Sequence, residues 1–139
     1  MNKAFEDSMK RAAELVQKII HAHIEEYYAE YDPIRYERTE QFLHSCVTSD
    51  VYRRGDVFCV EIYIDYDHMY YKISNPWQVV DWANRGLHGG YDNKELGVSQ
   101  PFSHFWDDAM EEIIPDKAML IQNFIKWLEE KTGAKVEAR

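Results

Sequence analysis

From Lys3 to Tyr31 apolar side chains recur mainly every three or four positions, at Phe5, Met9, Ala12, Val16, Ile19, Ile20, Ile24, Tyr27 and Tyr31. That spacing predicts one long amphipathic helix, with Lys10, Glu14, Lys18 and Glu25 on its polar face. Pro33 disfavours helical geometry at Asp32 and so ends it. At 1.5 Å per residue the helix reaches about 40 Å, longer than a domain of this size needs, so one end is expected to project toward a partner.

Pro33 to Ser45 reads as a shorter helical or turn segment, with Tyr36, Phe42 and Leu43 as apolar contacts and Thr39 as a local cap. Two strand patterns follow, Cys46 to Arg53 and Val57 to Tyr66, about Arg54-Gly55, where Gly supplies the positive φ of a tight turn. Pairing about that turn sets Tyr52 opposite Val57, Val51 opposite Phe58 and Val47 opposite Ile62, and gathers Val47, Val51, Phe58, Val60, Ile62 and Ile64 on one face. The same register puts Cys46 opposite Tyr63 and Cys59 opposite Asp50, about 14 Å apart and beyond the reach of a disulfide. Met69 to Ile73 reads as a third strand. Pro76 to Asn84 reads as a short helix with Pro in its first turn and Trp77, Val80 and Trp82 or Ala83 as apolar contacts, closed by Arg85-Gly86. Leu87 to Gln100 is a glycine-containing loop, long enough for a functional role. Phe102 to Ile114 and Asp116 to Lys131 keep the helical period, with Pro115-Asp116 as a start and Gly133 as a stop. Strands grouped between helices predict an α+β fold: a long N-terminal helix, a short helix, a small antiparallel sheet (a hairpin plus one or two strands), a short helix and C-terminal helices.

Length and charge narrow the functions that such a fold can serve. A chain of 139 residues fits a single domain, 1–139. Its 45% hydrophobic and 14% aromatic content argues against wholesale disorder. With 16 Lys and Arg against 25 Asp and Glu the formal charge is −9, which argues against a specific nucleic-acid binder that neutralises phosphates. An acidic surface of this size serves solubility, or repels or copies phosphate. No run approaches the 18 or so apolar residues of a membrane span, and Met1 to Lys10 is charged where a signal peptide is apolar, so a cytoplasmic protein is expected. Cys46 and Cys59 form no CxxC motif, and reduced thiols are expected.

The candidate chemistry is thin. His21 and His23 lie two apart on a helix and point to different faces, unlike the three or four spacing that lets two ligands share an ion. Asp65, Asp67 and His68 are the nearest approach to an acid and base cluster, and carboxylates two apart on a strand share a face; strand ends are also commonly acidic and solvated. Ser45, Ser49 and Cys46 lack the surroundings of a nucleophile. Gly86-Leu87-His88-Gly89-Gly90 lacks the GxxxxGK[ST] pattern of a phosphate cradle and reads as a turn with mobile flanks. No catalytic, cofactor-binding or metal residue is nominated. Aromatic residues say more: Tyr27, Tyr28, Tyr31 and Tyr36 gather around the first helix end, and Tyr63, Tyr66, Tyr70 and Tyr71 around the sheet. Such residues favour protein interfaces, and equally cap a small core.

The run Tyr27-Tyr28-x-x-Tyr31-x-Pro33-x-x-Tyr36-x-Arg38-Thr39-x-x-Phe42-Leu43-x-Ser45, followed by Ile64-Asp65-x-Asp67-x-Met69-x-Tyr71, His88-Gly89-Gly90 and Phe105-Trp106-x-x-Ala109-Met110, resembles the small head-tail joining, or tail-completion, proteins of long-tailed bacteriophages and prophages. It departs from their pattern in having no Gly after Thr39. The resemblance implies a non-enzymatic structural protein, placed in the neck of the virion after a stay in the host cytoplasm. It implies a homo-oligomeric ring that meets phage connector and tail-tube proteins, with neither membrane nor specific nucleic acid as partner and no cofactor. Tyr27, Tyr28, Tyr31, Tyr36, Leu87, His88 and Tyr91 are the expected interface residues, the loop from Leu87 ordering on assembly. An acidic ring lumen would let DNA slide without sticking. Two alternatives stand beside this reading: an acidic inhibitor that mimics DNA, and a small metal-dependent hydrolase using Asp65, Asp67 and His68.

Overall fold

The computed structural model describes residues 3–31, 41–71, 74–133 and 135. Helix α1, Lys3–Ala29, is 27 residues long, as the apolar period predicts. Its apolar stripe meets two different environments. In the C-terminal half Ile20, Ile24 and Tyr27 are buried among Phe42, Cys46, Met69, Val80, Ala83, Phe105 and Ala109, which form the core. In the N-terminal half Phe5, Met9, Ala12 and Val16 are only partly covered.

The β region is a bent hairpin in two antiparallel pieces. Strand β1, Cys46–Thr48, pairs with β4, Ile62–Ile64, and β2, Tyr52–Arg54, pairs with β3, Val57–Cys59. The observed register corrects the expected one. Arg54 faces Val57 across Gly55-Asp56, so Tyr52 lies opposite Cys59 rather than Val57, and Arg53 lies opposite Phe58. In the other piece Cys46 faces Ile64 and Val47 faces Tyr63. Between the two pieces Asp50 and Val51 stand against Val60 alone, which is the two-against-one count of a bulge. Ser49 makes it possible. Its amide donates to the Glu61 carbonyl, its hydroxyl accepts from the Glu61 amide, each at 2.8 Å, and its own carbonyl accepts from Lys10 Nζ at 2.6 Å. One extra residue reverses which side chains face the core, so Cys46, not Val47, is buried beside Ile62 and Ile64. Burial pushes the Cys46 thiol up to about 11, and both cysteines are free.

The expected third strand is also corrected. Asp65 accepts from the Asp67 amide and caps a 3₁₀ turn, Tyr66–His68, after which residues 69–71 belong to no strand and Met69 drops into the core. Residues 72 and 73 lie outside the described residues, as does most of the expected segment from Pro33, of which 41–44 form turns.

Helix α2, Pro76–Asn84, has the expected bounds, with Asn75 capping the Trp77 amide and Pro76 at its first turn. Helix α3, Phe105–Ile113, starts three residues later than its apolar period, because Phe102 is buried ahead of the helix under His88. Helix α4, Lys117–Thr132, ends at Gly133 in the left-handed conformation. Helices α3 and α4 run back along α1. His23 Nε2 lies 2.6 Å from Glu112 of α3, and Lys131 of α4 donates to Asp7 at 2.9 Å. The fold is α+β, with the sheet on one side of α1 and two C-terminal helices beside it.

Candidate functional site

The open half of the α1 stripe forms the floor of an apolar groove of about 600 Å³. The β2–β3 hairpin supplies one wall through Val57, Phe58 and Val60, and α4 supplies the other through Leu120, Ile121 and Phe124. Aromatic contacts hold the floor in place: between ring centroids Phe5 sits 5.3 Å from Phe58, tilted at 60°, and 5.4 Å from Phe124, edge to face. No residue of α4 is fully buried, and Val57 and Ile121 remain 61% and 50% exposed. Apolar side chains left in water at this density mark a contact surface more often than a lone exposed Leu does. At the rim the charges are paired. Lys131 donates to Asp7 and holds its carboxyl below the ordinary range, Lys3 lies 3.5 Å from Asp7, and Arg53 lies 3.4 Å from Asp56. Arg11 covers the Trp127 ring at 4.4 Å.

The other end of α1 is closed. His88 stacks on Tyr27 at 4.0 Å and 6°, with Phe102 and Tyr31 edge-on around it. The Tyr27 hydroxyl donates to the Leu87 carbonyl at 2.7 Å. Both carboxylate oxygens of Glu30 accept from the Ser103 amide, at 2.8 and 2.9 Å, and one lies 3.9 Å from His88 Nε2. Burial raises the Glu30 pKa despite those hydrogen bonds. Gly89 and Gly90, both at positive φ, turn the chain so that His88 and Tyr91 exchange hydrogen bonds, the geometry of a two-residue hairpin turn. The loop beyond is tied by Asp92 accepting from the Glu95 amide and by Asn93 and Val98 bonding each other.

Of the expected interface residues, Tyr27 and His88 are 6% and 8% exposed and belong to the core. Each offers little surface to a partner, because their rings are stacked on each other and buried. Tyr28, Tyr31 and Leu87 are half-buried, Tyr91 is 56% exposed, and Tyr36 lies outside the described residues. The loop from Leu87, expected to order on assembly, already carries its own turns. His21 and His23 diverge as their spacing requires: His21 lies 2.9 Å from Glu25, and His23 faces Glu112. The Asp65 carboxylate is engaged in capping. Among the described residues no group of three or more His, Cys, Asp and Glu is placed to hold a metal ion.

Reading for periodicity alone located the stripe but missed the groove. Its signal was present in the exposed apolar residues of α4 and in the helix length, which exceeds what the core covers.

The structure thus defines an α+β protein with an apolar groove open to solvent along the first half of α1. A family model described as YomN matches residues 1–130, so the chain belongs to the YomN family, which is of Bacillus phage and prophage type. No curated protein and no solved structure matches it.

Proposed function

We propose that this chain is a non-enzymatic structural component of a phage particle, which joins head to tail as a ring held by contacts between its own subunits and docked on connector and tail-tube proteins. The observation that carries this reading is the apolar groove left open along the first half of α1, in a chain of the YomN family. Contact area is what the groove offers, and its paired rim charges keep it specific without a large electrostatic demand. Removing the chain from an inducible phage and imaging the lysate tests the reading. Full heads and finished tails that remain separate, and that join when the chain is added back, are the expected result. Normal joined particles, or particles that never contain the chain, would contradict it.

A second reading, the acidic inhibitor that copies DNA, draws support from the opposite half of the molecule. Residues 19–31 and α3 carry seven carboxylates, Glu25, Glu26, Glu30, Asp107, Asp108, Glu111 and Glu112, with no Lys or Arg among them. That reading predicts tight binding to a basic partner that weakens steeply with salt, whereas the apolar contact is insensitive to salt or gains from it.

A further inference from the structure

We infer that the groove seats a second copy of this chain, and that its position keeps the acidic halves of the two copies apart. The inference rests on the reading of the chain as a subunit that assembles with its own copies, and names one surface through which two of them meet.

Charge distribution is the deciding observation. A protein of formal charge −9 repels itself, and copies associate only where the local charge is low enough for apolar burial to prevail. The segments that frame the groove, residues 3–18, 50–61 and 116–133, hold nine Lys and Arg against nine Asp and Glu. They balance, so the whole net charge lies elsewhere. Its densest part is the second half of α1 with α3, seven carboxylates without a cation. The centre of the groove on α1, near Arg11, and the centre of the acidic half, near Tyr27, are about 24 Å apart along the helix. That is more than two Debye lengths at physiological salt, so copies that meet at the groove with their α1 helices antiparallel hold their acidic halves apart and screened from each other. Contact through the acidic half would bring like charges within a few ångströms.

The groove also has the chemistry for such a contact. Val57 stands on the free edge of a two-stranded piece, and Ile121 faces it from α4 across the floor made by Met9 and Ala12. Both are exposed, so both gain from cover, roughly 25 cal/mol for each Å² removed from water. Neither packs into the core, so replacing them leaves the fold intact.

Sedimentation velocity of the full chain over a concentration series, at low and high salt, tests the inference, with Val57→Asp and Ile121→Asp as variants and far-UV circular dichroism as the check on folding. The wild type is expected to associate, more strongly at high salt as the residual repulsion is screened, and each variant to weaken association by about tenfold or more while keeping the wild-type spectrum. A wild type that stays monomeric at every concentration and salt overturns the inference, as do variants that associate like the wild type. Glu111→Gln with Glu112→Gln serves as the converse variant: stronger association supports the inference, and abolished association overturns it by placing the contact on the acidic half. The head-to-tail reading fails separately, if the chain is missing from particles or if particles join without it.

Discussion

At the scale of single residues, the structure distinguishes side chains that hold the molecule from those that are free to meet something else. Tyr27 and His88 are aromatic and lie near a loop, which makes them interface candidates by type. Their stacking and burial make them structural. Glu30 completes that cluster and gives it a pH dependence. Its folded pKa is raised above the unfolded value, so its contribution to stability is present below the ordinary carboxylate range and is lost as pH rises through the raised value. Glu30→Gln, which keeps an acceptor for the Ser103 amide but carries no charge, is expected to remove that loss. Urea midpoints for wild type and variant at about pH 4 and pH 7 check it: the midpoint at pH 7 relative to that at pH 4 should be higher in the variant than in the wild type.

At the scale of elements, the positions of α1, α2 and α4 were legible and the register of the hairpin was not. Pro76 and Asn75 fix the start of α2 by local chemistry, and Gly133 fixes the end of α4, so sequence alone reaches both. The hairpin depends on a distant cation. Lys10 takes the Ser49 carbonyl from a point 39 residues away, the ladder breaks there, and no local pattern around Ser49 carries that information. Periodicity likewise started α3 too early because Phe102 is apolar for the sake of His88, not of the helix. The turn after α2 offers a test of how tightly these elements are joined. Gly86 has φ +75°, and a Cβ there would lie 3.1 Å from the His104 ring and from the Phe102 carbonyl. Gly86→Ala is expected to cost about 1 to 3 kcal/mol. Gly133→Ala, at a similar φ with open space around it, is expected to cost less, and urea unfolding of both variants compares them directly.

At the scale of the whole molecule, one helix serves two purposes. Its second half is the spine of the core, under the sheet, α2 and α3. Its first half supports α4 and the hairpin without filling the space between them. The sequence revealed the excess length of α1 and the uninterrupted stripe, and hence that something beyond the core uses it. It could not reveal which half is open, because that depends on where α3 and α4 return along the helix. Acidity follows the same division, with the groove end balanced and the core end carrying the negative charge.

The central claim is that the groove is a buried contact in the assembled particle. Amide hydrogen exchange measured on the free chain and on the chain within purified particles tests it most directly. Residues 52–60 and 117–124 are expected to exchange more slowly in the particle, while the exposed residues Tyr66 and Asp67 keep their free rate. Equal exchange of the groove segments in the two states would contradict the account.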